Sequence, residues 1–378
     1  MTKLQNMYQT SELQVTEIDG YETPKIFSTL SNEVNAIRSS VAISDVSHIV
    51  TLRISGEHAH ALLNRLLPRN LNLRNNKLFQ SLFILDDKWR LADVYVAKEP
   101  ESYLLLVKGL TVTELSDWFH ENTESAETVK IDLLNDTHTL IALNGPFAWE
   151  LLSELADPEI ISLPYLSFYY PQGDQIIIRS GETGEYGYLM ILPHEDAIQM
   201  WTQAIEVGSD YDLLPAGSDA LAYCALENNF FNVHKEGAVG ASPKELQLQW
   251  RVSYAKHSII GEELRKIQDG SSTRRLTGIY AESAFEEQES IYFNDQVIGI
   301  VVNAASFLSG TGTIGLALID SEYAASGISA EYRTQGGIIR TVSPPFVNNR
   351  SLQVNPQIHS YLEPEELQFH ELSALQDI

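Results

Sequence analysis

Apolar residues change their period along this chain, and the change divides it. QSLFIL (Gln80–Leu85), ADVYVA (Ala92–Ala97) and SYLLLV (Ser102–Val107) are short β-prone runs. DDKWR between the first two predicts a hairpin, with the third strand pairing next. QIIIRS (Gln175–Ser180) and YGYLMIL (Tyr186–Leu192) flank GETGEYG and predict a second hairpin. HEDAIQMWTQAIEVG and SDALAYCALENNFF repeat their apolar positions every three or four residues and predict helices. From about Thr273 only short strand-like runs follow: TGIYA, SIYFND, QVIGIVVN, TIGLALI, ISAEYRT and GGIIRTV, spaced by Gly, Asn and Asp. That pattern predicts a separate all-β unit, a small barrel or jelly roll. Few strand–helix–strand units recur before it, which favours an antiparallel α+β arrangement over a doubly wound sheet. EPEELQFHELSALQ, in the acidic tail, is compatible with one amphipathic helix.

One internal similarity stands out. ISGEHAHALLNRLL and LNGPFAWELLSEL share Gly, Ala three on and a Leu pair: Gly56, Ala59, Leu62 and Leu63 against Gly145, Ala148, Leu151 and Leu152. Each reads as a strand (TLRIS, TLIAL) ending at the glycine, where a helix begins. The pair is either an internal repeat or two instances of a common turn.

Length and charge narrow the function classes. The 378 residues suffice for two or three domains. Acidic residues number 51 against 25 basic, a formal charge of −26, so nucleic acid and anionic membrane are poor partners. The single cysteine, Cys224, precludes an intramolecular disulfide and fits a reducing compartment. No secretory leader and no run of about 18 apolar residues is present, so the expected location is the cytoplasm.

The chemical motifs divide unequally. GTGTIG (Gly310–Gly315) matches a dinucleotide-binding pattern but leads into a strand rather than a helix, so it is read as a β turn. EHAH (Glu57–His60) places its groups two apart on a helix, on different faces, and no metal site is expected. His48 and His234 lack local partners and are read as structural. Asp93, inside LADVYV, faces either solvent or a polar cleft where it handles charge or a proton. Glu185, in the glycine-rich turn, is either an ordinary turn residue or an acceptor for two parallel N–H groups on a flat ring.

Several stretches, in order, resemble the glycine-cleavage T-protein (aminomethyltransferase) superfamily and its folate-dependent relatives. They are EVNAIRSSVAISDVSHIVTLRISGEHAHALLNRLL with its Asp45-Val46-Ser47-His48, LADVYV, LNGPFAWELL, IRSGETGEYGYLM, SPKELQLQW, SIIGEEL, GIVVNAASFLSGTGTIGLALI and SPPF, from about residue 20 to 347. The resemblance implies an α+β three-lobed cloverleaf around a central channel. Residues 1–50 with 137–210 would form one lobe and 51–136 with 211–270 a second. Residues 271–350 would form the β-barrel or jelly-roll lobe, followed by an acidic tail, 351–378. It also implies tetrahydrofolate in the channel, with Asp93 as the catalytic acid near N5. Glu185 would hold the pterin edge, with Gly184, Tyr186, Tyr188, Arg179 and Phe79 around it.

The departures from the family pattern concern that site. Ala92-Asp93 stands where two adjacent acids are usual, and Lys88-Trp89 where a glycine pair is usual. Phe79 or Gln80 falls where a tyrosine is frequent, and NVHKEGAVG is altered. Leu221 and Ala225 occupy the positions of two arginines. The cysteine motif of the iron–sulfur-assembly branch is absent. These changes favour transfer of a methyl group between a small-molecule donor and tetrahydrofolate over aminomethyl transfer in glycine cleavage. An acidic lipoyl carrier would be repelled by this acidic chain, so a carrier partner is not expected. A non-catalytic or folate-independent ligand-binding relative is the rival from another class.

Overall fold

In the computed structural model all residues are described except 1–2, 9–11, 87, 257–271, 328–330, 364–367 and 376–378. SIIGEEL lies outside the described residues. So does part of the expected tail helix; residues 368–375 are irregular, with one bridge from Ser373 to Val347.

The first two thirds mix strands and helices as the apolar periods predict. In chain order they are β1 (Gln14–Ile18), β2 (Tyr21–Ile26), α1 (Leu30–Ser39), β3 (Ala42–Asp45), β4 (Val50–Ser55), α2 (Ala59–Leu66), β5 (Lys77–Ile84), β6 (Leu91–Lys98), β7 (Ser102–Lys108), α3 (Val112–Asn122) and β8 (Lys130–Leu133). Then come β9 (His138–Asn144), α4 (Ala148–Leu155), β10 (Ser167–Tyr169), β11 (Ile176–Arg179), β12 (Gly187–Pro193), α5 (His194–Val207), β13 (Leu214–Pro215) and α6 (Ser218–Asn228). Except for the β1–β2 hairpin, these strands form one curled sheet in the order β13-β3-β9-β12-β11-β10-β5-β6-β7-β4-β8. The β13–β3 pair is its parallel step, and the other ladders are antiparallel. Six more strands, β14 (Arg274–Ala281), β15 (Ser290–Phe293), β16 (Gln296–Ser306), β17 (Thr313–Asp320), β18 (Tyr332–Thr334) and β19 (Gly337–Val342), close an antiparallel barrel. The expected all-β unit is therefore a barrel. GTGTIG belongs to its β16–β17 hairpin.

Strand alternation builds the layers. On β7, Tyr103, Leu105 and Val107 face α2 and α3, while Leu104 and Leu106 face inward. On β12, Tyr188, Met190 and Leu192 pack against α4 and α5, while Leu189 and Ile191 turn inward. The curled sheet thus presents two stretches whose inner faces meet, with helices covering the outer faces. This is why its strands read as near-continuous apolar runs. α1 and α6 join the inner region to the barrel through Val34, Leu226, Val302 and Leu316.

The two similar segments adopt the same local structure. β4 leads through Gly56 into α2, and β9 through Gly145 into α4. Gly145 has φ +143°, and a Cβ there would stand 2.2 Å from the Ser40 carbonyl oxygen; Gly56 has φ +108° and the same conflict, 2.5 Å from the Thr128 oxygen. In each case another chain segment crosses the turn where only glycine leaves room. Gly145→Ala is expected to cost about 2 kcal/mol or more, read as a lower thermal midpoint.

Glu236, buried under β16, accepts hydrogen bonds from Asn303 Nδ2 (2.9 Å) and the Asn232 amide (2.7 Å). Burial pushes its carboxyl up to about 7 from its ordinary 4.5. Through that window the unfolded chain binds fewer protons than the folded one. Stability therefore falls as pH rises from about 4.5 to about 7 and stays lowered above it, by about 3 kcal/mol in all. Glu236→Gln should remove this component. Comparing thermal midpoints of variant and parent at pH 5 and pH 8 tests it: an equal difference at both pH values refutes the assignment.

Candidate active site

β6 and β7 begin the site. Ala92, Val94 and Val96 point toward the outer helices, so Asp93, Tyr95 and Ala97 point inward. In the antiparallel register Asp93 pairs with Lys108, the last inward residue of β7. Asp93 is 1% exposed. One carboxylate oxygen accepts from Arg251 Nη1. The other, Oδ2, is buried with no hydrogen-bond partner among the described residues. Burial pushes the Asp93 carboxyl upward, against the pull of Arg251 and Lys108. An acid so placed is suited to holding or taking a proton.

Lys108 turns to the other side. Its Nζ donates to Glu182 Oε2 at 2.6 Å, and the Tyr95 hydroxyl donates to Glu182 Oε1 at 3.2 Å. Gln80 Nε2 donates to the Tyr95 oxygen at 2.6 Å. Burial raises Tyr95 well above its ordinary 10, with Glu182 and Asp93 adding to the shift, so it remains a neutral donor.

Lys108, Tyr95 and Glu182 form one wall of a central cavity of about 160 Å³. Inward residues of β9 and β12, Ala142, Asn144 and Leu189, form another wall, and α6 a third. His48, His234 and Ile18, the last residue of β1, also line the cavity. Burial lowers His48 to about 4, so it is neutral at pH 7; its Nδ1 has no partner among the described residues. Asp19, beyond Ile18, accepts from the Gly109 amide (2.8 Å) and lies 3.4 Å from His234 Nε2, which ties the hairpin tip to β7 and to the cavity-lining His234. A second cavity, about 350 Å³, shares Phe231 with the first and is lined by Arg251, the partner of Asp93.

Leu221 and Ala225 lie four apart on α6 and both line the central cavity. The wall where the resemblance places arginines is therefore apolar. The two cations closest to Asp93, Lys108 and Arg251, are each ion-paired. Among the described residues no cluster suited to a metal ion occurs.

The glycine-rich turn differs most from expectation. Glu185 does not face the cavity. Oε1 accepts from Arg38 Nη1 (3.2 Å) and the Arg350 amide (3.2 Å); Oε2 accepts from the Ser351 amide (2.7 Å) and hydroxyl (2.6 Å). A carboxylate offers about four lone-pair positions, so Glu185 has none left for a ring. Neither Asp93 nor Glu185 is among the residues that line the cavity. Gly184, with φ +83°, serves close packing: a Cβ there would meet Asn349 Oδ1 at 2.5 Å and Asn228 Oδ1 at 2.6 Å.

The remaining expected contacts also lie outside the cavity. Tyr188 points to the outer core, the opposite face from Leu189. The Tyr186 hydroxyl donates to the Val354 carbonyl (3.1 Å). Arg179 donates to the Leu163 carbonyl (2.5 Å) and stacks on Tyr186 at 5.1 Å. Phe79 packs in the outer core beneath Arg69, 4.7 Å from ring centre to guanidinium. The cavity-lining groups missed in the sequence are Glu182, Lys108, Tyr95 and Asn144, and the lining also takes in His48 and His234, for which the sequence predicts a structural role. Alternation from Asp93 would have found Tyr95. Pairing across the β6–β7 hairpin would have found Lys108.

Arg38 holds this arrangement from behind. Its Nε and Nη2 donate to Glu227 Oε2 (3.0 and 2.6 Å), and Nη1 to the Thr183 carbonyl (2.5 Å), Asn349 Oδ1 (3.0 Å) and Glu185.

A sheet curled around a cavity with a glycine-rich turn in its wall, followed by a six-stranded antiparallel barrel, is the α+β architecture expected of the T-protein class. The family described as the GCVT N-terminal domain matches residues 4–256, and the chain belongs to that family. It is 27% identical over 357 residues to an aminomethyltransferase of Bacillus pumilus, covering 91% of this chain and 98% of that protein. It is 28% identical to an aminomethyltransferase of Alkaliphilus oremlandii, covering 83% and 88%. Its fold matches a glycine cleavage system aminomethyltransferase T from Bartonella henselae with TM-score 0.81 at 20% identity, covering 92% of this chain and 98% of the other.

Arg38→Met would leave Glu227 and Glu185 buried without their cation. Breaking a buried pair from one side costs about 3–5 kcal/mol. The variant should show a large drop in thermal midpoint; an unchanged midpoint would contradict the assigned hub.

Proposed function

We propose that this chain is an enzyme that transfers a one-carbon group to tetrahydrofolate, and that the group is aminomethyl, as the names of its relatives indicate. The support is family membership over most of the chain together with one observation: Asp93 is buried opposite the cavity-lining Lys108 on the β6–β7 ladder, with one oxygen anchored by Arg251 and the other without a partner among the described residues. The aminomethyl reading displaces the methyl-transfer reading that the sequence departures favoured, because the full-length relatives are aminomethyltransferases. It also restores a carrier protein as the source of the group, in place of the small-molecule donor first expected.

The residues present fit a flat, neutral ring. The cavity walls are largely apolar; His48, which lines them, has its Nδ1 without a partner among the described residues, and Asp93, whose Oδ2 is likewise without one, pairs across the ladder with the lining Lys108. When bound, tetrahydrofolate supplies the nitrogen that accepts the one-carbon unit. Apolar side chains from α6, β9 and β12 exclude water and fix the ring plane, which lowers the entropic part of the barrier. Asp93, anchored by Arg251, holds or takes the proton of the accepting nitrogen at Oδ2 and balances positive charge developing there. His48, neutral at pH 7, can accept or donate one hydrogen bond at Nδ1 without adding charge.

A second reading retains methyl transfer from a small donor. It is favoured by the apolar wall of Leu189, Leu221, Ala222 and Ala225, which suits a methyl group as well as an aminomethyl one.

Incubation with an aminomethylated lipoyl carrier and tetrahydrofolate tests the first reading. Tetrahydrofolate-dependent ammonia release is expected, and Asp93→Asn should lower kcat about 10²- to 10⁴-fold. Methyl transfer from small donors without ammonia release would favour the second reading. Absence of any one-carbon transfer would remove both.

A further inference from the structure

The second cavity, about 350 Å³, is built around a buried cation. Arg251 lines it and is 2% exposed. Its Nη1 donates to Asp93, and its Nε is buried with no partner among the described residues. Two ring centres lie close to the guanidinium, Trp250 at 4.9 Å and Phe231 at 5.4 Å, and help keep water from it. A second guanidinium, Arg69, adds its charge. It donates to the carbonyl of Gln80, another lining residue, at 3.0 Å. Among the described residues no carboxylate pairs with Arg69. Burial, and after it the charge of Arg251, pushes the Arg69 guanidinium pKa down, so the two cations act on each other. Two guanidiniums thus share one carboxylate, in a chain whose formal charge is −26. Burial also pushes that carboxylate, Asp93, toward its neutral form.

We infer that the second cavity is an anion site, in which Arg251, with the charge of Arg69 behind it, holds the carboxylate of a ligand with a flat or apolar body. The inference goes beyond the tetrahydrofolate reading and does not need it. A buried cation must be paired and hydrogen-bonded to offset its desolvation, and Asp93 takes one donor of the five that a guanidinium carries. The planar fork of arginine matches a carboxylate better than a point charge does. The surplus here is a single positive charge, which suits a monocarboxylate over a dianionic phosphate. Phe230, Phe231, Leu246, Leu248 and Leu276 supply apolar lining for the body of the ligand. Trp250 and Tyr165 line the cavity and are 52% and 56% exposed, so it reaches the surface on their side. The site is distinct from the central cavity, since the two linings have only Phe231 in common. A bound acid also competes with Asp93 for one guanidinium, so occupancy acts on the residue proposed to handle the proton.

Benzoate and benzamide, alike in shape and different in charge, are titrated against the full chain by calorimetry, with thermal midpoints recorded in parallel. Benzoate is expected to bind about 10- to 100-fold tighter than benzamide, the range for a charge-assisted hydrogen bond. Arg251→Met should bring the two affinities together. Arg251→Lys, which keeps the charge without the fork, should retain part of the preference and provides the test if the methionine variant does not fold. Arg69→Gln should weaken benzoate several-fold and leave benzamide unchanged, a charge dependence that a merely structural residue would not produce. Repeating the benzoate titration with saturating tetrahydrofolate identifies the source of the carboxylate. Displacement assigns it to the carboxylate tail of the folate and additive binding to a separate small acid, and both keep the anion at Arg251. Equal affinity for benzoate and benzamide, a preference undiminished in Arg251→Met, or no benzoate binding below about 10 mM overturns the inference. Failure of tetrahydrofolate itself to bind removes the folate reading and leaves this one standing.

Discussion

A single buried guanidinium organises the centre of this molecule. Arg38 projects from α1 and reaches groups that are remote in sequence: Glu227 at the end of α6, the Thr183 carbonyl and Glu185 in the glycine turn, and Asn349 beyond the barrel. An arginine suits this place because its planar fork offers five donors in fixed directions. A buried cation must be paired and hydrogen-bonded to offset its desolvation, and here each partner comes from a different segment. The consequence for the site is orientation. With the Thr183 carbonyl and Glu185 drawn toward Arg38, and Glu185 also held by the Arg350 and Ser351 amides, the turn leaves Glu182 facing the cavity.

Strand pleat supplies the second constraint. Outer-face residues of β6, β7, β9 and β12 meet helices, so their alternate neighbours must meet one another or a cavity. Where the inner layer stops being aliphatic, Asp93, Tyr95, Lys108 and Asn144 appear together. None could be tolerated deeper in the layer without a partner. Ion pairs neutralise the cations, Lys108 against Glu182 and Arg251 against Asp93, and the α6 wall adds no charge. The result is a largely apolar cavity with a charged and polar wall of Lys108, Tyr95 and Glu182, the usual character of a small-molecule site.

The departures from the family pattern now have locations. Leu221 and Ala225 are not scattered losses but neighbours on one face of α6, opening on the same cavity. Gln80 takes part in the site through Tyr95 rather than by direct exposure to the cavity. The altered NVHKEGAVG segment brings His234 into the cavity lining, against Asp19. A chain can keep the family's frame while its cavity chemistry shifts, because frame and cavity draw on opposite faces of the same strands.

Strand and helix identity, the barrel and the two glycine turns were legible in the chain alone, because period and turn chemistry are local properties. Gln80–Leu85 and Ala92–Ala97 pair as their spacing indicates, and the six short runs after Thr273 close on themselves. The chain alone also marked Asp93 as an acid inside an apolar strand, facing solvent or a polar cleft; its burial and its pairing with Arg251 came from the structure. The partner of each turn residue was not legible. Glu182 and Glu185 are three positions apart in one turn, and nothing local distinguishes an acid that faces a ligand from one that faces a protein cation. That choice is made by Arg38, which lies 147 positions before Glu185, and by the amides of Arg350 and Ser351, 165 and 166 positions beyond it. Hydrogen bonding over such separations exists only once the chain has folded, so tertiary structure alone decided which carboxylate the cavity receives.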